Sequence, residues 1–194
     1  MNSQTVSGTE GYAEEASVLL QRYEMNSFSE VYAAVMHHIP SVPSRIADIG
    51  AGSGRDAGYL AKQGHQVVAV EPTSELREPA KKLHPSENIE WVDDSLPELT
   101  QLLHMQKTFD LVIMNAVWMH LDQSQREIAM TNIAKLTHSG TKIITRLGMG
   151  PFRHCDGCSM CPVRRRYSSP VNILFNCFFK HSVSPLVRSI EPRV

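Results

Sequence analysis

Ile46-Ala47-Asp48-Ile49-Gly50-Ala51-Gly52-Ser53-Gly54-Arg55-Asp56 is an apolar run that breaks into three alternating glycines flanked by carboxylates. Four apolar-rich residues followed by a glycine turn read as a short buried strand, because a helix needs a longer periodic stretch. The glycines let the backbone turn without Cβ clashes into a helix carrying Tyr59 and Leu60. A second apolar run, Val67-Val68-Ala69-Val70, closes on Glu71. The acids Asp48 and Glu71 are separated by about the 20 residues that span one nucleotide-binding βαβ unit.

Spacing separates the candidate ligands. A pyrophosphate-binding turn has the pattern G-x-G-x-x-G, which seats phosphate on a helix N-terminus. This chain has G-x-G-x-G with Asp48 before it and Asp56 after it. Those carboxylates disfavour a pyrophosphate and suit a cationic group, while Glu71 can accept hydrogen bonds from both hydroxyls of a ribose. The residues therefore point to an adenosine-containing cofactor with a cationic portion.

Outward from this unit the chain alternates helix and strand. Amphipathic helices are expected over Tyr12 to Tyr23, with Ala16, Leu19, Leu20 and Tyr23 on one face, and over Ser27 to His37, before Pro40 and Pro43. Strands are expected at Arg45 to Ile49, Gln66 to Val70, Ile89 to Val92, Phe109 to Met114 and Thr141 to Thr145. Helices are expected near Arg55 to Lys62, Ser74 to Leu83, Pro97 to His104 and Gln123 to Thr137. That order predicts an α/β fold with a doubly wound, mostly parallel sheet, its ligand crevice beyond the carboxyl ends of the strands.

Four segments in order, D-I-G-A-G-S-G-R-D, V-A-V-E-P, W-V-D-D-S-L-P and F-D-L-V-I-M-N-A-V-W-M-H-L, resemble the class I S-adenosylmethionine-dependent methyltransferases over about residues 10 to 145. The resemblance implies a Rossmann-like domain and S-adenosyl-L-methionine as cofactor. It makes Asp48, Gly50, Ala51 and Gly52 the cradle of the methionine moiety, with Arg55 and Asp56 beside it. Glu71 and Pro72 would hold the ribose, Asp93 and Asp94 would lie near the adenine, and Asn115 and Ala116 would lie under the sulfonium. No catalytic side chain is assigned. Trp118 and Met119 read as core, and His120 more as a packing neighbour of the pocket than as a base.

With 194 residues, 42% hydrophobic, 20% charged and a formal net charge of -1, the chain has material for a real core and no charge bias toward nucleic acid. It contains neither a signal peptide pattern nor an apolar run approaching the roughly 20 residues of a membrane span. The expectation is a cytoplasmic enzyme acting on a small-molecule acceptor, with no nucleic-acid or membrane partner.

Beyond Thr145 the character changes. Residues 146–194 carry eight Lys+Arg against two Asp+Glu, whereas residues 1–145 carry 11 against 18, and all four cysteines lie in the later segment. The expected division is a helical cap over 1–44, a cofactor-binding domain over 45–147 and an atypical, poorly ordered tail over 148–194. Only Val171 to Phe179 is apolar enough for a strand, so the closing strands of the sheet, an antiparallel hairpin in the resembled family, are expected to be missing or degenerate.

The favoured reading of this tail is translation out of frame. Shifted codons from Arg146 to Cys161 permit S-R-H-G-P and R-R-M-F-D-V, similar to S-L-R-H-G-P and R-x-M-F-x-V, which follow the fifth strand in members of that family. Met149-Gly150 forces a glycine and Met160-Cys161 a valine where the pattern wants them. The competing readings are a divergent tail and a thiolate site for zinc or iron–sulfur from Cys155, Cys158 and Cys161 with Cys177. The runner-up functions are a catalytically impaired cofactor-binding module and a nucleotide-dependent oxidoreductase.

Overall fold

A computed structural model describes residues 11–147 and 172–177. Its sheet has six strands: β1 (Arg45–Ile49), β2 (Gln66–Val70), β3 (Ile89–Val92), β4 (Phe109–Asn115), β5 (Thr137–Leu147) and β6 (Asn172–Cys177), in spatial order β3-β2-β1-β4-β5-β6. Every neighbouring pair is parallel. The order reverses direction between β1 and β4, which opens the crevice where ligands of such sheets sit. The helices are α1 (Ala16–Glu24), α2 (Phe28–Val31), α3 (Arg55–Lys62), α4 (Ser74–Leu83), α5 (Thr100–His104) and α6 (Gln123–Lys135).

Alternation along the buried strands divides the interior between the two faces of the sheet. Ile46, Val67, Ala69, Leu111, Ile113 and Ile144 pack with Leu60 of α3 and with Phe28 and Tyr32 of the N-terminal cap. Ala47, Val68, Val70, Val112, Met114 and Ile143 pack on the other face with Leu102 of α5 and Ile133 of α6. The expected stripe of α1 forms a third cluster: Ala16 and Leu19 are buried with Leu76, and Tyr12, Leu20 and Tyr23 pack partly buried against them. The cap thus reaches α4 and closes over the strand tips.

Several bounds differ from expectation for visible local reasons. The helix expected over Ser27 to His37 is split into α2, with a capping box between Ser27 and Glu30, and a 3₁₀ helix over Ala33–His38. The bend at Tyr32 accompanies complete burial of its ring, stacked on Phe28. α5 starts at Thr100 rather than Pro97, because Leu99 takes a left-handed conformation at φ 50°. β5 begins at Thr137, earlier than expected, and its register with β4 shifts between Phe109 and Leu111.

In the tail, residues Asn172–Cys177, within the one stretch expected to be apolar enough for a strand, pair with Lys142 to Leu147 over six residues and cover the outer edge of β5. An unpaired edge presents a row of backbone donors and acceptors that an apolar, β-prone segment can satisfy. The added strand runs parallel to β5, and among the described residues no antiparallel hairpin closes the sheet. Cys155, Cys158, Cys161 and the shifted-frame motifs lie outside the described residues. Among the described residues no helix is long and apolar enough to cross a membrane.

Candidate functional site

The glycine turn after β1 is held by its own backbone. The N–H groups of Gly50 and Ala51 both donate to the Val70 carbonyl, at 2.8 and 2.9 Å, and that of Gly54 donates to the Ala51 carbonyl at 2.9 Å. The Gly52 N–H donates to Glu71 Oε2 at 2.9 Å. Gly50 sits at φ +76°, and a Cβ there would lie 2.3 Å from Val117 Cγ2, so the turn is closed to larger residues.

This arrangement bears directly on ligand type. A phosphate cradle needs turn amides aimed outward at an anion. Here two of them serve β2, one serves the loop itself, and a fourth donates to the buried Glu71 carboxylate, 5% exposed, beside them. Glu71 Oε1 also accepts from the Thr73 N–H at 3.0 Å. The Thr73 hydroxyl also bonds this carboxylate, and with about four lone-pair sites on its two oxygens it keeps acceptor capacity for a ribose hydroxyl. Burial raises the Glu71 pKa, against the pull of the Thr73 and Gly52 amides.

A cavity of about 480 Å³ opens over this turn, within the roughly 300–1,000 Å³ range of small-molecule pockets. The candidates Gly50, Ala51, Gly52, Arg55, Asp56, Glu71, Pro72, Asp94, Asn115 and Ala116 all line it. Asp48 and Asp93 are not among the lining residues. Asp48 is 1% exposed beneath the turn, where burial and then Asp56 push its pKa well above the carboxylate range. Asp93 turns outward to an ion pair with Arg77 at 2.9 Å. Asp94, the next residue, accepts from the N–H groups of Ser95 and Leu102 and stays on the pocket wall.

The other wall is built from side chains. Asp56 accepts from Tyr32 Oη at 2.7 Å and Asn115 Nδ2 at 3.2 Å, and pairs with Arg55 at 2.6 Å. Asn115 Oδ1 in turn accepts from Arg146 Nη1 at 3.2 Å. Burial, followed by Asp56 and Asp48, raises the Tyr32 pKa far above its ordinary value and keeps the hydroxyl a donor. Trp118 is buried core as expected, whereas Met119 joins the pocket wall. His120 also lines the cavity, its Nε2 3.1 Å from Tyr12 Oη, which ties the N-terminal segment to the loop after β4.

The sequence reading missed Tyr12, Tyr23, Val117, Arg146 and the positioning residue Arg77, which donates to the Glu71 carbonyl as well as to Asp93. Nothing in their local sequence marks them. They become visible only when the cap is folded over the strand tips.

A TehB-like SAM-dependent methyltransferase of Corynebacterium glutamicum is similar in structure, with 27% identity, 68% of each chain covered and a TM-score of 0.51. The glycopeptide N-methyltransferase MtfA, solved with S-adenosyl-L-methionine, shares the fold at 15% identity, covering 61% of this chain and 54% of that one with a TM-score of 0.52. An uncharacterized methyltransferase of Alkaliphilus oremlandii (strain OhILAs) is 27% identical over 127 residues, 61% of this chain. The chain spans only 56% of that relative's length. The family described as methyltransferase domain matches residues 47–145, from the strand before the glycine turn to the end of the fifth strand's core, and the chain belongs to that family.

Proposed function

We propose that this chain transfers a methyl group from S-adenosyl-L-methionine to a small-molecule acceptor. The observation that carries the proposal is the Gly52–Glu71 contact: a turn whose amides serve its own fold, beside a buried carboxylate suited to a ribose diol. The same contact weighs against a nucleotide-dependent oxidoreductase, whose pyrophosphate would meet that carboxylate instead of free amides.

In this reading Glu71 holds the ribose, Asp94 lies near the adenine, and the bare main chain at Gly50 to Gly52 lies along the methionine portion. Asn115 and Ala116 lie near the sulfonium, at the tip of β4. The bound cofactor supplies an electrophilic methyl carbon. The chain's own contribution is alignment and exclusion of water, for which no dedicated acid or base is required. Asn115, fixed between Asp56 and Arg146, gives that end of the pocket a defined geometry. The cap residues Tyr12 and Tyr23 cover the opposite side. The proposed division keeps 1–44 as cap and 45–147 as cofactor domain.

Calorimetric titration with S-adenosylmethionine, S-adenosylhomocysteine and NAD tests the reading. Binding of both sulfur nucleosides and not of NAD is expected; the reverse would sink it. Release of radiolabelled methyl groups to candidate acceptors then separates an enzyme from a module that only binds.

A further inference from the structure

The helix α1 is fastened to the pocket differently at its two ends. At its C-terminal end Arg55 Nη1 donates to the carbonyls of Tyr23 and Asn26 at 2.9 and 3.4 Å, and Glu24 Oε1 lies 3.0 Å from His84 Nε2. Ahead of its N-terminal end a contact crosses the cavity: Tyr12 Oη is 3.1 Å from His120 Nε2, and the two rings meet edge to face. Tyr12 lines the cavity from the cap, His120 from the loop after β4. Between the two ends α1 is lightly packed. Its buried residues, Ala16 and Leu19, join Leu76 in a small cluster apart from the two that cover the faces of the sheet. A segment with so little buried apolar contact opens at a far lower free energy than the core does.

The same helix lies on the proposed berth. The Tyr23 ring packs against Gly52, its Cδ2 3.2 Å from where a Cβ of that glycine would stand. Burial and then Glu71 raise the Tyr12 pKa; burial, then Tyr12 and Glu71, push that of Tyr23 up to about 12. Both hydroxyls therefore keep their protons, and that of Tyr12 can donate to His120. Standing over the turn and the ribose acid, the two tyrosines make α1 the roof under which a ligand of Gly52 and Glu71 must pass.

We infer that the Tyr12–His120 contact is a latch on this roof: α1 swings from its Arg55-held end, and the latch sets how fast the cofactor enters and leaves, not how tightly it binds. This inference rests on the methyl-transfer reading above, and the test keeps the two apart. The same contact has to break for entry and again for exit, so its removal speeds both steps alike and leaves their ratio, the affinity, in place. A side chain that served only to touch the cofactor would behave otherwise, its loss raising the exit rate and weakening binding in step.

Association and dissociation of S-adenosylhomocysteine are followed by surface plasmon resonance on the immobilised full chain. Tyr12→Phe should raise both rate constants about fivefold, the scale of one net hydrogen bond, and leave Kd within about twofold. His120→Ala should do the same, and the double variant should do no more than either single one, as for partners in one contact. Hydrogen exchange supplies a readout without ligand: the α1 amides should exchange about fivefold faster in Tyr12→Phe, while those of β1 and β2 keep their rates. Unchanged rate constants, rate constants that do not move together, single effects that add in the double variant, or α1 exchange equal to that of the wild type overturns the inference. A wild-type chain that binds no S-adenosylhomocysteine overturns the methyl-transfer reading instead, a reading that failure of the latch variants in a binding chain would leave standing.

Discussion

The two walls of the pocket are built on different principles. Around Gly50 the wall is main chain: its hydrogen bonds join β1 to β2 and involve one side chain, Glu71. Around Asn115 the wall is a relay of side chains from three separate elements, Asp56, Asn115 and Arg146, with the buried Tyr32 donating to Asp56 from behind it. A backbone wall tolerates little change. A side-chain wall can be re-specified one residue at a time.

The largest effect should follow from damage to the first wall. Gly50→Ala places a Cβ against Val117 at a positive φ, and should cost about 2–4 kcal/mol of stability and abolish measurable cofactor binding. Gly140→Ala has a similar φ of +95° with nothing near its Cβ, and should cost only the conformational share, about 1 kcal/mol. Urea unfolding compares the two. Equal losses would mean that the Val117 contact is unimportant.

Glu71→Gln is the next step down. Both carboxylate oxygens accept backbone N–H groups, so an amide must turn its NH₂ toward one of them. Cofactor affinity should fall about 10–100-fold, as for loss of a charged hydrogen-bond partner. Titration of Glu71→Asp alongside checks that charge, and not length alone, is read.

Tyr32→Phe tests the second wall. It keeps the stack on Phe28 and removes one of the donors to Asp56, and should cost about 1 kcal/mol with cofactor affinity nearly unchanged. A large loss of cofactor binding would mean that the two walls are not separable.

The mildest test is a change of slope. The Asp48 pKa lies above its unfolded value of 3.8, so the folded state binds more protons in the window above that pH. Stability of the free protein should therefore fall as pH rises through that window, and Asp48→Asn should flatten the fall. Glu71, raised from 4.5, adds a slope of the same sign that remains in the variant. Urea unfolding across a pH series reads both.

The same contrast explains what could be read from the chain alone. β1, β2, β3, α3 and α4 begin and end where their apolar runs and glycines place them, because short buried strands and a glycine turn are local properties. The family motifs cover the backbone wall for the same reason, and reach the other wall only through Asp56 and Asn115. Adjacent acids illustrate the limit: Asp93 and Asp94 differ by one residue, and alternation sends one to Arg77 and the other to the pocket. Composition cannot tell which. Arg146 was illegible because its neighbours come from α3, β4 and the cap, and Asp48 because a carboxylate at a strand end can sit under a turn as readily as over it. In the tail the strand Asn172–Cys177 falls within the apolar stretch Val171 to Phe179, while its parallel pairing to the open edge of β5 is a matter of backbone bonding that sequence periodicity does not report.

The doubly used carbonyl of Val70 carries a last implication. A floor tied down before any visitor arrives spends nothing on folding itself around one, and its grip does not depend on the single carbon that leaves. The exhausted nucleoside should consequently be retained about as firmly as the fresh one. Under the proposed methyl transfer, turnover would then depend on whatever removes that by-product from the surroundings, and its accumulation should act as a brake.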